Sequence, residues 1–337
     1  MLPLLVAMGI SAGAGVMAGL AVSDLTGGQR HVASRGDRPA PTVAVAATLE
    51  PNADQPSNYP LAALEDQAKP FHYAKQDNAF LAIAAPRRLT LDALEGWDRE
   101  DEAYKDKQAY LYISGPMYEA SSPSERNNHW RPLGDLKLAS RTLMSANRAA
   151  ARSRAFIAID KDGKASFGYG ELTPERDQRY DIFIGGLHAL YNDREPAPPT
   201  YKPAYESSAG QSVRAYLPRT RIIYGLTPRG NLVFVMSYGG WTLEQAEKFS
   251  REQGLVAAYM PDHASKSRFI VPGQYAYSSY DVNGPTQGAL SFAHVPYMLR
   301  LADYGASPRV VLTTRNWAPR CNPWNCWLQQ LTQRLGL

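Results

Sequence analysis

Short apolar runs separated by turn-forming residues dominate the chain from Phe71 onward. Runs of six or seven residues that are rich in β-branched and aromatic side chains predict strands. The predicted strands are "AFLAIAA" (Ala79–Ala85), "AYLYIS" (Ala109–Ser114) and "YDIFIGG" (Tyr180–Gly186). Two longer stretches contain turn residues and predict hairpins: Arg154–Gly170, turning at Asp162 and Gly163, and Arg219–Ser237, turning at Pro228–Asn231.

One stretch has helical periodicity, and both of its ends are marked. Its apolar residues recur every third position from Leu243 to Phe249. Thr242 and Gln245 have the spacing of a capping box, and Gly254 is a typical helix stop. A further strand, "LVAAYM", follows directly. Hairpins with a few helices predict an α+β fold with a mixed, largely antiparallel sheet and packed helices.

The N-terminus has no charged side chain from Leu2 to Val22, a length that spans a bilayer as a helix. Its "GISAG" and "GVMAG" pairs favour close helix packing in lipid. We therefore expect a membrane anchor through residues 2–22. A cleaved signal peptide is the alternative, with "AVS" before Asp24 as the cleavage site. For an anchor, Arg30, Arg35 and Arg38 after the span favour a cytoplasmic domain, whereas the cysteine pair favours the outside. We expect a cell-envelope protein that is anchored to the membrane with its domain outside the cytoplasm, or secreted if residues 1–23 are removed.

Composition divides the remainder of the chain and excludes some functions. Residues 23–70 are rich in proline and predict a linker; residues 71–300 form the predicted domain and residues 301–337 a C-terminal extension. The net charge of +4 and the scattered basic residues exclude a nucleic-acid partner. Cys321 and Cys326 are too few for a zinc site when the histidines are dispersed, so we predict no metal and no cofactor. A small disulfide loop is favoured, and two buried thiols are the alternative.

The motif order from Arg219 to Ser267 resembles the phosphodiester glycosidase family. That family has an Arg four residues before a Gly, a hairpin, a T-L-x-x-A helix, a Gly, and a strand ending in Asp-Gly-Gly and a Ser. The counterparts here are Arg221, Gly225, Thr242–Ala246, Gly254 and Ser265. Earlier, "YISGPMY" and "RPLGDL" match the family's Asn-Gly-Gly-Met-Phe and its later glycine-rich element. The resemblance spans Phe71 to Gly273 and implies hydrolysis of a sugar-1-phosphodiester.

The sequence departs from the family pattern at the centre of both motifs. Ser114 stands in place of the family's Asn, and Pro116 in place of its second Gly. Pro261 aligns with the family's Asp, which leaves Asp262 and His263 at its two glycines; a one-residue shift would instead bring Asp262 to the Asp position. Proline removes a backbone donor and bulky residues keep the backbone away from a ligand. A pocket for a sugar phosphodiester would therefore lose donors and gain bulk.

The resemblance assigns candidate site residues. Arg221 would stabilise the phosphate leaving group, and Asp262 would orient water or support charge on the sugar ring. The predicted substrate-binding residues are Ser114, Gly115, His188, His263 and Ser265. The structural alternatives are an ion-paired Arg221, an Asp262 that only forms a turn, and a partly buried His188 with satisfied hydrogen bonds.

Two functions remain open at this point. One is an envelope enzyme that hydrolyses sugar phosphodiesters. The other is an inactive member of the same fold that serves as a binding or scaffold subunit of a membrane-associated complex. The altered motif centres favour the second for the chemistry. The expected partners are a carbohydrate or sugar phosphodiester, the membrane, and a membrane-protein complex.

Overall fold

The computed structural model describes residues 60–67, 69–76, 78–120, 130–206, 209–237, 240–261, 266–277 and 294–304. Within these ranges the helices are α1 (Ala62–Glu65), α2 (Glu100–Lys105), α3 (Arg148–Arg152), α4 (Pro174–Arg179), α5 (Ala209–Tyr216) and α6 (Leu243–Glu252). The strands are β1 (Phe71–Gln76), β2 (Ala79–Ala84), β3 (Leu89–Glu95), β4 (Ala109–Ile113), β5 (Tyr118–Ala120), β6 (Trp130–Pro132), β7 (Leu136–Lys137), β8 (Thr142–Leu143), β9 (Ala155–Asp160), β10 (Ala165–Tyr169), β11 (Tyr180–Asn192), β12 (Ile222–Leu226), β13 (Leu232–Ser237), β14 (Ala257–Met260), β15 (Phe269–Val271), β16 (Tyr275–Tyr277) and β17 (Tyr297–Asp303).

Sheets dominate this fold, as the sequence predicts. A large sheet runs in the order β1-β2-β13-β12-β14-β11-β7-β8, with β9 and β10 attached through β11. A smaller sheet has the order β16-β15-β4-β17-β3, and β5 pairs with β6. The two predicted hairpins are present as β9–β10 and β12–β13, both antiparallel.

The main core lies between the two sheets. Strands β2 and β12 of the large sheet and strands β4, β15 and β17 of the small sheet contribute side chains to one buried cluster. The outer face of the large sheet carries a second cluster, which includes Ala246 of α6. Leu61, next to α1, is 1% exposed and belongs to that second cluster, so packed structure begins before β1. Successive side chains point to opposite faces along each strand, so the large sheet contributes apolar side chains to both clusters.

Helix α6 begins as its sequence predicts. The Thr242 side chain accepts a bond from the Gln245 backbone, and the Gln245 side chain accepts one from the Thr242 backbone. This reciprocal pair satisfies two backbone donors that a helix start leaves free. The helix ends at Glu252, shortly before Gly254.

Two backbone segments cross at glycines beside the large sheet. A Cβ on Gly134 would lie 2.1 Å from the Gly186 nitrogen. Asp135, which follows, is 1% exposed and accepts hydrogen bonds from the backbones of Ser145 and Leu172. Arg148 adds an ion pair to the same carboxylate. The "RPLGDL" motif therefore holds the segment before β7 against β11.

Within the described residues no helix is long and apolar enough to cross a membrane. The predicted span at residues 2–22 and the two cysteines lie outside the described residues.

Candidate functional site

Arg221 lies directly before β12 and is 1% exposed. Its Nε donates to the Trp241 carbonyl at 3.1 Å, and its Nη1 donates to the Tyr205 hydroxyl at 2.5 Å. Its Nη2 donates to the carbonyls of Arg214 and Leu217, at 2.8 and 3.4 Å. The guanidinium therefore fastens α5, Tyr205 and the segment before α6 to the start of β12.

Tyr205 is the strained residue of this cluster. Its φ of 65° lies in the left-handed region, which a bulky side chain rarely adopts. The residue is 5% exposed, and its ring stacks on that of His188 with the centroids 6.5 Å apart. Backbone strain of this kind persists only where surrounding contacts impose it, and such residues concentrate at functional sites.

His188 lies on β11, opposite Met260 at the end of β14. It is 8% exposed, and Arg154 Nη1 lies 3.4 Å from its Nδ1. Burial, with a smaller contribution from the positive charge of Arg154, lowers the pKa of His188 to about 3. The imidazole is therefore neutral at physiological pH and can accept a hydrogen bond.

Ser114 lies at the end of β4, in the smaller sheet, and is 4% exposed. Its hydroxyl donates to the Lys266 carbonyl at 2.8 Å and accepts from the Arg268 backbone at 2.7 Å. Its own carbonyl accepts a hydrogen bond from the Tyr224 hydroxyl of β12. Ser114 thus links the small sheet to the strand that follows Arg221.

The position of Gly115 admits no side chain. A Cβ there would lie 2.6 Å from the Tyr297 hydroxyl. That hydroxyl donates to the Pro116 carbonyl at 2.6 Å. Consequently this glycine serves the packing of Tyr297 against the 114–116 turn, and the Pro116 carbonyl has a partner inside the protein.

The start of β12 and the end of β14 lie at the same end of the large sheet's strands. Tyr224 pairs with Tyr259 and Gly225 with Ala258, so the strands run in opposite directions. Arg221 precedes β12 and the buried Pro261 follows β14. His188 lies at the same end, because it pairs with Met260, the last residue of β14.

Residues 261–266 connect the end of β14 to Lys266, whose carbonyl is bonded to Ser114. Asp262, His263 and Ser265 lie outside the described residues, so their predicted roles stay predictions. Their flanking residues are described: Pro261 ends β14, and Lys266 accepts the bond from Ser114. Five residue steps span at most about 18 Å. The chain itself therefore keeps Pro261 and Lys266 within that distance.

Lys266 is a half-buried cation beside Ser114. Its Nζ lies 4.5 Å from the centroid of the Tyr118 ring, a cation–π contact. Burial lowers the pKa of this ammonium. Tyr118 packs edge-on against Tyr297, which stacks on Trp130 with the centroids 3.8 Å apart. An aromatic wall thus stands beside Lys266.

The structure gathers the described candidates into two linked groups. One contains Arg221 and His188 around Tyr205, and the other contains Ser114 and Gly115 beside Lys266. Sequence reasoning missed Tyr205 and Lys266 as members. The signal for Lys266 was its place directly after Ser265, whereas no local pattern marks Tyr205. Within the described ranges no three metal-ligating side chains of His, Cys, Asp or Glu come together.

No protein-family profile matches this sequence, and no curated protein matches it. Solved structures do. The catalytic domain of zebrafish N-acetylglucosamine-1-phosphodiester alpha-N-acetylglucosaminidase, auto-inhibited by its pro-peptide, has a TM-score of 0.51 at 14% sequence identity and covers 71% of this chain and 85% of that chain.

Two further structures resemble the chain less closely. A hypothetical protein from Synechocystis has a TM-score of 0.46 at 12% identity, covering 69% of this chain and 61% of its own. An exported protein from Burkholderia pseudomallei K96243 has a TM-score of 0.46 at 12% identity, covering 66% and 73%. The similarity to the zebrafish domain is one of fold, and at that level it confirms the resemblance predicted from the motifs.

Proposed function

We propose that this domain binds a sugar phosphodiester or a related carbohydrate without hydrolysing it, as a binding or scaffold subunit at the cell envelope. The zebrafish enzyme that shares the fold acts, by its name, on an N-acetylglucosamine-1-phosphodiester, which suggests the ligand class. Anchoring through residues 2–22 and a membrane-protein partner belong to the same proposal. The observation that carries the choice of binding over hydrolysis is the environment of Arg221.

Arg221 is not free to hold a phosphate. A guanidinium has five N–H donors, and four hydrogen bonds already join it to Trp241, Tyr205, Arg214 and Leu217. A bidentate phosphodiester needs two donors on one edge of the group. Freeing two donors would break hydrogen bonds that the guanidinium already makes, and each is worth about 1.5–3 kcal/mol because the donor is charged. The leaving-group role expected of Arg221 therefore lacks the pair of donors that a bidentate contact requires.

Lys266 is the better-placed cation for the ligand's phosphate. Within the described residues no carboxylate pairs with its ammonium, which rests on the Tyr118 ring. It is partly exposed and directly follows the Asp-His-Ala-Ser segment. An ammonium attracts a phosphate as a point charge and contributes binding without supplying an acid or a nucleophile.

A hydrolase remains the second candidate because of one feature, the strained Tyr205 stacked on a neutral His188. A buried imidazole with a low pKa accepts a proton only weakly, but the pair lies beside the end of β14, and Asp262 follows that strand by two residues in the sequence. In a hydrolase, His188 would position the attacking water for Asp262, and its replacement would abolish turnover.

Hydrolysis is tested with the full-length protein and a methyl phosphodiester of N-acetylglucosamine, together with a panel of other sugar-1-phosphodiesters. We expect no release of free sugar above the buffer rate from protein that is shown to be folded by circular dichroism. Turnover that disappears in His188→Gln would overturn the binding proposal and establish the hydrolase.

Binding is tested by calorimetry with the same phosphodiesters. We expect Lys266→Met to weaken binding about tenfold, because one charge-assisted contact is worth roughly 1.5 kcal/mol. Lys161→Met, on the exposed turn between β9 and β10, is the matched control and should bind as the wild type does. Equal affinity of the wild type and Lys266→Met would contradict the assigned role of Lys266, and the absence of binding across the panel would contradict the function.

A further inference from the structure

A groove of about 550 Å³ lies on the outer side of the large sheet, away from Ser114 and Lys266. One wall is a face of α6, formed by residues three or four positions apart. These are Gln245, Lys248, Phe249 and Glu252. The groove is also lined by Gln76 at the end of β1, by Asn78 just before β2, and by Trp241. Its volume is within the ~300–1,000 Å³ range of small-molecule sites.

Two aromatic rings give the groove an apolar surface. The Trp241 and Phe249 centroids are 4.6 Å apart, with the rings inclined by 39°. Trp241 is 7% exposed, and Phe249 is more accessible. The C–H face of a pyranose packs on aromatic rings of this kind, because such rings bury a large area in a fixed orientation.

Side-chain amides surround these rings, and their free ends point to the ligand's chemistry. The Oε1 of Gln245 is held by the Thr242 backbone, which leaves its amide N–H₂ as a donor. Gln76 donates at 3.5 Å to Gln253, which leaves its oxygen as an acceptor. Asn78 is exposed and offers both a donor and an acceptor. Neutral groups that both donate and accept suit vicinal hydroxyls.

The charged residues of the groove cancel one another. Lys248 and Glu252 lie one helical turn apart, with Nζ 3.8 Å from a carboxylate oxygen. Among the described lining residues the two charges therefore balance, which favours a neutral ligand over an anionic one.

From this combination we propose that the groove is a binding site for a neutral saccharide. It uses none of the residues assigned to the phosphodiester, so it stands or falls independently of the proposed function. One hydrogen bond connects the groove to the candidate site: the carbonyl of Trp241, which lines the groove, accepts from the Arg221 Nε.

The test titrates the full-length protein with chitotriose, maltotriose and cellotriose, and with trigalacturonate as the anionic comparison. Saturation-transfer NMR identifies which sugars bind, and calorimetry gives the affinity. The informative variants are Gln245→Glu and Asn78→Ala. Glutamate keeps the oxygen that caps α6, so the fold is retained, while it removes the amide donor and adds one negative charge. Glu244→Gln, the exposed neighbour of Gln245 outside the groove, is the control.

We expect at least one neutral trisaccharide to bind, with affinity about 3- to 10-fold weaker in each informative variant and unchanged in the control. The absence of binding by all three neutral sugars would overturn the proposal. Wild-type affinity in both Gln245→Glu and Asn78→Ala would also overturn it, as would a preference for trigalacturonate.

Discussion

Arg221 shows how a cation can be kept in a protein interior by neutral oxygens. Burying an ion costs several kcal/mol in lost hydration. Three carbonyls and one phenol replace that hydration, and Tyr205 also places its ring 5.6 Å from the guanidinium carbon. The Arg214 carbonyl lies in the last turn of α5, and the Leu217 and Trp241 carbonyls lie just after α5 and just before α6. The residue type that suggests phosphate binding thus ties the ends of two helices to the start of β12.

His188 makes stability depend on pH. Its pKa is about 3 in the folded protein, where burial and Arg154 oppose protonation, and about 6.5 in an unfolded chain. The unfolded chain therefore binds more protons between these values, so stability is complete above pH ~6.5 and falls as the pH decreases towards 3. We expect His188 to cost about 2 kcal/mol of unfolding free energy between pH 7.5 and pH 5.

Urea unfolding of the wild type and His188→Gln at both pH values isolates this contribution. The other titrating groups are common to the two proteins and cancel in the difference. The wild type should lose about 2 kcal/mol relative to the variant at pH 5. Parallel pH dependence in the two proteins would show that the imidazole is protonated in the folded state.

Among the secondary-structure elements, β11 depends on a backbone crossing. A Cβ on Gly134 would meet Gly186 backbone atoms, which cannot rotate away as a side chain would. We expect Gly134→Ala to destabilise the protein by about 4 kcal/mol or more, in the exceptional range for a single substitution. Gly230→Ala is the matched control. Its φ is 88° and a Cβ there has no neighbour within 4 Å, so only the conformational cost of about 1–2 kcal/mol applies.

Urea midpoints of the two variants check this difference. A Gly134→Ala protein as stable as Gly230→Ala would mean that the segments before β7 and at β11 can separate without cost. An intermediate value would measure how far the crossing relaxes.

Elements encoded by local chemistry could be predicted from the sequence. The hairpins follow from turn residues, and α6 follows from its capping box and closing glycine, all within a few residues of each other. The full length of β11 could not be predicted, because it pairs with β14, β9 and β7 along different parts of its course. The packed Leu61 was also missed, since its partners lie on the large sheet.

The candidate site divides in the same way. Motif order identified Arg221, His188, Ser114 and Gly115, which all lie at strand ends or within strands. The bonding of Arg221 could not be predicted, because its acceptors are backbone carbonyls that any residue supplies. Tyr205 was missed for a similar reason. Its contacts are with Arg221 and His188, which are not its neighbours in the sequence, so no local pattern marks its strained backbone.

At the scale of the whole molecule, a buried hydrogen bond connects the two sheets at the candidate site. Tyr224 of β12 is 1% exposed, and its hydroxyl donates to the Ser114 carbonyl at the end of β4. Ser114 is in turn bonded to Arg268, just before β15. The position of Ser114 relative to Arg221 therefore depends on one phenol in the shared core.

Tyr224→Phe tests that connection. The ring is retained, and the Ser114 carbonyl loses its donor in a site that water does not reach. We expect a loss of about 1–3 kcal/mol in unfolding free energy, together with faster hydrogen exchange at the amides of Ser114 and Arg268. Those two amides bond within the linked turn, to the Arg268 carbonyl and the Ser114 hydroxyl. Tyr216→Phe, at a ring that is 79% exposed, should change neither quantity.

Faster exchange confined to this turn, with α6 unaffected, would show that the bond positions the site locally. Faster exchange across β12 and β4 alike would show that it holds the sheets together. Unchanged stability and exchange would mean that core packing alone fixes Ser114 beside β12.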